Sequence, residues 1–344
     1  FCLECLEKSR LSCHDPKKIY QGKIMEKKLV SILVPVYNRE NLIEETVNSG
    51  LSQTYENIEI IIVDNQSTDG TWKILEKLAS QDKRIKIFQN NTNIGPVRNW
   101  KRCIDEASGE YGKILWSDDL IASDFLEKTV PFLVNKDVGF VFSKVEIFYE
   151  NSNKKLLIYD IGKTGLYNSS KYINDVMEVG NYPVSPGCAI FRLKDLKKNL
   201  LIEIPNKISS DFSMHAIGND LLIFLLTAHK YKNFAFVNEK LSFFRAHSGS
   251  ISTISVAKLS LLYALVKAYY LEKFEKNEHI SRYNSYLYLL LLKYKVNNLN
   301  IKNISDFYLT NTQHKINIAH CVFLLFIRIK YKFNKWSKNF KNST

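Results

Sequence analysis

Along the first half of the chain, apolar and polar positions switch repeatedly between two periods. "VSILVPV" (30–36) is an unbroken apolar run of strand length, and in the following "NRENLIEETVNSGLSQ" Leu42, Val47 and Leu51 recur at helical spacing. The cycle repeats with "IEIIIVD" and "TDGTWKILEKLASQ", where Thr68 or Asp69 is placed to cap the helix. It repeats again with "RIKIFQN" and "GPVRNWKRCIDEAS", a helix expected to stop at Gly109, before a fourth strand, "YGKILWS". Strands apolar on both faces, alternating with helices, predict a mostly parallel α/β sheet covered by helices. Further on, "VGFVFSKVEIFYE" and "KKLLIYDIG" read as extended segments, one of them a hairpin-type addition, and "SPGCAIFRL" as another strand. "GNDLLIFLLTAHKY" reads as a buried helix, and "NFAFVNEKLSFFRAHSGSIS" as a short strand followed by a loop. From about Val256 the pattern becomes Leu-, Tyr- and Lys-rich and helical. The expected domains are an extension outside the fold at 1–24, an α/β domain at 25–254, and a helical region with a basic tail at 255–344.

The polar residues that follow the strands carry the candidate chemistry, because ligands of such sheets bind at the carboxyl ends of the strands. Those ends read Pro35-Val36-Tyr37-Asn38, Asp64-Asn65, Asn90-Asn91-Thr92-Asn93 and Ser117-Asp118-Asp119. No glycine-rich loop follows the first strand, which excludes both the dinucleotide fingerprint and the P-loop. A formal net charge of +13 points to an anionic partner. Two adjacent carboxylates at the end of the apolar run "ILWSDD" repel each other and need compensation. The simplest solution is a hard divalent cation, Mg²⁺ or Mn²⁺, held by Asp118 and Asp119 with phosphate completing its shell. A nucleotide would supply that phosphate. Asp64 is then placed to accept from a base or ribose, and Arg98 to pair with Asp64 or with phosphate. The alternative is that Asp118 and Asp119 only cap the next helix.

The six cysteines are scattered and form no disulfide framework, so a reducing, cytoplasmic compartment is expected. Cys2-x-x-Cys5 with Cys13-His14 is compatible with a small zinc knuckle, set against a plain tail upstream of Met25. No zinc finger, RNP-like motif or recognition helix is visible, so no nucleic-acid partner is expected. At the other end, "INIAHCVFLLFI" leads into Arg328, Lys330, Lys332, Lys335, Lys338 and Lys341, with no acidic residue after Asp306. The apolar part is too short to span a bilayer. Two readings stay open: a basic helix in peripheral contact with the inner, anionic face of the cytoplasmic membrane, or one packed on the protein with a solvated basic face.

Together, "VSILVPVYNRE", "IEIIIVDNQSTDGT", "NIGPVRNW" and "ILWSDD" resemble the nucleotide-sugar-binding half of family 2 glycosyltransferases, from about Leu29 to Ile251. The resemblance implies the GT-A fold, a nucleotide diphosphate-sugar donor (a UDP-sugar first), a divalent metal and a glycan or lipid-linked acceptor. Its implied setting is cell-surface polysaccharide synthesis. It assigns Pro35, Val36, Tyr37 and Asn38 to the nucleotide pocket, Asp64 to the base, and Arg98 to the base or diphosphate. Asn93, Gly95, Ser117 and Asp118 join the same donor set. Where the family often has an earlier acid stands Trp116, which leaves Asp118 as metal ligand and Asp119 as second ligand. "GNDLLIF" resembles the acceptor half, with Asp220 as catalytic base, Asp211 as competitor, and Asn219 where a neighbouring acid is common. "FFRAH" resembles an element that returns toward the diphosphate, giving Arg245 to phosphate and His247 to the metal. Ser185-Pro186-Gly187-Cys188 is placed on the acceptor side. A sugar nucleotidyltransferase would instead carry a glycine-rich turn after the first strand, and an inactive binding module would tolerate Trp116 and Asn219.

Overall fold

A computed structural model describes residues 27–150, 152–178, 181–247, 255–274, 277–294, 299–310 and 315–327. The 1–24 extension, with its Cys2, Cys5, Cys13 and His14, and the basic tail beyond Ile327 lie outside the described residues. The chain divides into two compact units, Phe1–Glu203 with Asp211–Thr253, and Ile204–Ser210 with Ile254–Thr344.

The first unit is built on one mixed sheet. Strands β1 (Val30–Val36) and β2 (Ile58–Asp64) are buried along their whole length, as two-sided apolar strands must be. With β3 (Ile85–Gln89) and β4 (Tyr111–Ile114) they form a parallel layer in the order β3-β2-β1-β4. The connecting helices are α1 (Ile43–Leu51), α2 (Thr71–Gln81) and α3 (Pro96–Asp105). Beyond β4 the order continues β9-β6-β10-β5, where β5 is Leu120–Ile121, β6 Val138–Tyr149, β9 Ala189–Arg192 and β10 Asn233–Ala246. β7 (Ser152–Ile158) forms the expected hairpin with β6, and β8 (Gly165–Asn168) pairs with the start of β10. Helix α4 (Phe125–Leu133) follows β5, α5 (Ser169–Glu178) follows β8, and α6 (Leu193–Asn199) follows β9. A short α7 (Phe212–His215) precedes α8 (Asn219–Lys230).

Three local expectations need correction. Neither Thr68 nor Asp69 caps α2: the cap is Gly70, although Asp69 Oδ1 still accepts from the Thr71 amide at 3.0 Å. Gly109 does not end α3, which stops at Asp105. It lets the chain pass β1 closely, since a Cβ there would meet Ser31 N at 2.8 Å and Leu29 O at 2.9 Å. Within the segment read as a short strand and loop, Asn233–Ala246 is a single strand, β10, paired in parallel with β6 through register shifts around Lys240. Its polar residues 238–240 face solvent at that irregularity, and the strand resumes beyond them.

An aromatic cluster fixes α8. The Phe224 ring lies 5.1 Å from Phe140 of β6 and 5.1 Å from Phe191 of β9, and 5.6 Å from Tyr172 of α5. Fully burying one such ring contributes roughly 2–3 kcal/mol, so the middle of α8 is held firmly against the sheet.

In the second unit, α9 (Val256–Phe274) and α10 (Asn277–Lys293) pack together. Tyr283 donates to the Ala264 carbonyl at 3.2 Å, and Tyr308 to Asn284 Oδ1 at 2.8 Å. Residues 318–327 form a further helix. Among the described residues no helix is long and apolar enough to cross a bilayer.

Candidate functional site

The carboxyl ends of β1, β2 and β3 are joined by amides. Asn65 donates to Asn93 Oδ1 at 2.8 Å, and Asn90 donates to both Asn65 Oδ1 and Asn99 Oδ1 at 2.8 Å. Asn99 donates in turn to the Val63 carbonyl at 3.0 Å, while the amides of Ile94 and Gly95 bond to Asn65 and Asn93 at 3.0 Å. Gly95 adopts φ +83°, and a Cβ there would lie 2.6 Å from Met214 Sδ. This network sets the 90–95 loop against β2 before any ligand arrives.

Pro35 and Val36 are buried in β1, where the Val36 carbonyl accepts from Asn65 N at 2.9 Å, so backbone is what they present. Tyr37 is 40% exposed at the rim. Asn38 takes a positive φ of 50°, with its side chain accepting from Thr68 N at 2.8 Å. Asp64 is fully buried and is held by Ser67 N at 3.2 Å, by the Ser67 hydroxyl, and by Gln89 Nε2 at 2.9 Å. Arg98 turns away from Asp64 to Ser213 Oγ at 2.7 Å and Glu203 at 3.5 Å. Ser67, Gln89 and Ser213 are partners that the sequence reading missed.

Asp118 and Asp119 occupy a turn after β4 that is closed by Asp119 N donating to Trp116 O at 3.0 Å. This places Ser117 and Asp118 at the tip and folds Asp119 back beneath it. Asp118 Oδ2 lies 2.9 Å from His247 Nε2 and 3.4 Å from Arg39 Nη2. Asp119 is 7% exposed and accepts from the Arg245 amide at 2.9 Å. Burial and the neighbouring Asp118 push its carboxyl well above the ordinary carboxylate range. Arg245 donates through Nε to the Asp118 carbonyl at 3.0 Å and through Nη1 to Glu150 at 3.1 Å, with Nη2 on Glu45. Its guanidinium, expected on phosphate, is therefore occupied with positioning the Asp118 turn.

Arg39, whose Nη1 donates to the Asn38 carbonyl at 3.1 Å, has an Nε with no partner among the described residues. Its place in "NRE" beside Asn38 was the available signal. Beneath the turn, Lys113 is completely buried in β4, with Nζ donating to the carbonyls of Ile114 and Gly187. A lysine inside an apolar run was the visible sign of this buried donor.

Trp116 packs against Trp100, with ring centroids 4.6 Å apart, and donates to Ser185 Oγ at 2.9 Å. That hydrogen bond joins the strand end to the turn Pro186–Cys188, on which α8 packs. Burial pushes the Cys188 thiol up to about 12, which leaves it inert as a nucleophile. Asp220, 8% exposed, sits in the first turn of α8 with Oδ1 accepting from Gly218 N and Leu221 N at 2.8 Å. Asn219 is spent on structure, donating to the carbonyls of Leu201 at 2.8 Å and Ile202 at 3.1 Å. Asp211 caps α7, and hydrogen bonds from Ser213 hold its carboxyl below the ordinary range.

Among the described residues no three His, Cys, Asp or Glu side chains gather to hold a metal ion. The Asp118–His247 pair, 15–17% exposed, nevertheless offers one oxygen and one nitrogen, a donor set that fits a divalent cation completed by substrate phosphate. Asp119, expected as second ligand, faces inward to the Arg245 amide.

A sequence profile described as "Glycosyl transferase family 2" matches residues 31–200. An uncharacterized glycosyltransferase of Haemophilus influenzae is 41% identical over 110 residues, covering 32% of this chain and 44% of that protein. An Escherichia coli protein, "UDP-Glc:alpha-D-GlcNAc-diphosphoundecaprenol beta-1,3-glucosyltransferase WfaP", is 37% identical, covering 42% of this chain and 53% of its own. The chain thus spans about half the length of these curated relatives. Among solved structures, Staphylococcus aureus TarS 1–349 in complex with UDP-GlcNAc superposes with a TM-score of 0.58 at 20% identity, covering 81% of this chain and 77% of that one. That likeness bears on the fold, which is GT-A. Through residues 31–200 the chain belongs to glycosyl transferase family 2.

Proposed function

We propose that this protein is an inverting, metal-dependent glycosyltransferase. It moves a sugar from a UDP-sugar to a hydroxyl of a glycan or lipid-linked acceptor in cell-surface polysaccharide synthesis. The observation that carries the reading is the convergence of Asp118 with His247, 129 residues apart in sequence and 2.9 Å apart in space. The WfaP relative, whose name specifies UDP-Glc and a diphosphoundecaprenol-linked acceptor, supports the donor and acceptor classes.

The amide-braced rim of β1–β3 receives the nucleotide, with Asp64 orienting Ser67 and Gln89 beneath it. Asp118 and His247 would hold the cation, which when bound neutralises charge on the departing diphosphate. Arg39 supplies the remaining guanidinium at the diphosphate, while Arg245 holds the Asp118 turn in place. Asp220 removes the acceptor hydroxyl's proton as that oxygen attacks the anomeric carbon. The bond from that carbon to the diphosphate oxygen breaks on the opposite face, and the configuration inverts. Asp211 serves less well as base, because its hydrogen bonds with Ser213 reduce its basicity.

Calorimetric titration of UDP, GDP and dTDP, with and without Mn²⁺, tests the reading. Manganese-dependent UDP binding that disappears in Asp118→Ala is expected. Absence of nucleotide binding under every metal condition would overturn it and favour an inactive module, the reading that Trp116 and Asn219 invite.

A further inference from the structure

Trp116 is bound to two turns at once. Its carbonyl accepts from Asp119 N at 3.0 Å and so closes the turn that carries Asp118. Its indole Nε1 donates at 2.9 Å to Ser185 Oγ, the same oxygen that accepts from Gly187 N at 3.4 Å and caps the turn Pro186–Cys188. The indole has little room to rotate. The Trp100 ring centroid lies 4.6 Å away, and a Cβ on Gly187 would come within 2.8 Å of Trp116 Cδ1 and Nε1. The 183–188 segment is fixed from two further sides: Lys113 Nζ donates to the Gly187 carbonyl, and Tyr172 of α5 donates to the Pro183 carbonyl at 2.7 Å. Tyr172 also lies against Phe224 of α8, with ring centroids 5.6 Å apart. Burial, with Tyr159, Cys188 and Asp220 close by, pushes its hydroxyl up. The turn Pro186–Cys188 and the first turn of α8 are thus neighbours around one tyrosine, and the turn packs on α8.

The geometry points to Trp116 as a positioning residue that fixes Asp220 relative to the Asp118 turn. This role rests on the proposed reading of Asp118 as a cation ligand and Asp220 as the base, and it gives a part to a side chain which that reading leaves without one. An inverting displacement needs the base and the departing diphosphate on opposite faces of one carbon. The spacing between the two turns therefore enters the rate directly, and a misplacement of about 1 Å can cost about 10²-fold. The backbone of residue 116 shapes the turn on the donor side, and its side chain ties that turn to the one beneath α8. Packing does not account for the indole. An apolar ring could lie against Trp100, but only a ring N–H supplies the hydrogen bond to Ser185 Oγ. Trp116 is thus a working part of the site, in the place where an inactive module would merely tolerate it.

The test measures UDP release from UDP-glucose and from UDP-N-acetylglucosamine in Mn²⁺, with water as acceptor, beside calorimetric binding of UDP. Trp116→Phe should lower the rate about 10- to 100-fold with UDP affinity unchanged. Ser185→Ala probes the same bond without altering the ring packing and should lower the rate alike, whereas Ser185→Thr, which keeps the hydroxyl, should retain the wild-type rate. In an Asp220→Asn background Trp116→Phe should bring no further loss, because the group it positions is gone. A merely structural role would lower the rate by the same factor in both backgrounds. Equal loss in both, UDP binding that falls in step with the rate, or a wild-type rate in Ser185→Ala overturns the inference while leaving the proposed activity standing. A wild type that releases no UDP from either donor overturns that activity, and this role with it.

Discussion

Lys113→Met should remove a distinct component of the pH dependence of stability. Burial lowers the Lys113 amine to about 7, with the nearby Cys188 and Asp119 acting against this. Its Nζ also lies 4.7 Å from the Phe125 ring centroid, a contact that favours the charged form but does not outweigh the burial. In the unfolded chain a lysine titrates near ~10.4. Between those two values the unfolded chain holds a proton that the folded protein has released, so this group makes stability rise with pH. Below about 7 both states are protonated and the full penalty of burying the charge is present. Integrating the linkage from about pH 7 to about pH 9 gives about 2 kcal/mol. Met conserves most of the volume but leaves the carbonyls of Ile114 and Gly187 without their donor, an offset that does not vary with pH. The diagnostic quantity is therefore the slope. Urea unfolding of both proteins at the two pH values, followed by tryptophan fluorescence, should show the wild-type-minus-variant difference rising by about 2 kcal/mol. A flat or falling difference would refute the assignment of a neutral, buried amine under the Asp118 turn.

Asp220→Asn should lower kcat by about 10²–10⁴ while calorimetry finds UDP affinity unchanged; normal turnover would shift the base to Asp211. Gly95→Ala forces a side chain into a φ of +83° and toward Met214 Sδ. It should destabilise by about 2 kcal/mol in thermal unfolding, with Met214→Ala relieving only the steric share, and an unchanged Tm contradicts the account. Asn65→Ala leaves Asn90, Asn93 and the Ile94 amide short of partners, which should cost about 1–3 kcal/mol and weaken UDP binding; a tight titration curve would show that the rim does not depend on the amide brace.

How far the sequence could be read depended on how each signal is generated. β1, β2 and β4 stood out because two-sided burial writes largely apolar runs of strand length, while β3, partly exposed at the sheet edge, was placed by the repeat of strand and helix around it. β5 and β8, at two and four residues, are too short for any period to register. β10 was cut short because Asn238, Glu239 and Lys240 imitate a turn, whereas a local irregularity in pairing lets the strand carry on to Arg245. Asp118 and Asp119 looked equivalent in one dimension; the turn closed on Trp116 makes one face outward and the other inward. Arg245 was located by its motif, but its partners Glu45 and Glu150 are distant in sequence and had no local signature. Lys113, a basic residue in an apolar strand, passed unnoticed, and what meets the paired carboxylates of "ILWSDD" is Arg39 and His247 at Asp118 and the Arg245 amide at Asp119.

The Asn65–Asn90–Asn93–Asn99 brace is made of groups that do not ionise at physiological pH. A rim braced by ion pairs would exchange partners with each arriving diphosphate and rebuild them at each departure. Amides have no net charge to surrender, so the shape of this rim is decoupled from the charge that passes over it. Charge enters the brace only where Arg102 donates to Asn90, on the side of α3, whereas the Arg39–Asp118–His247 cluster holds its charges at the turn where the proposed diphosphate would bind.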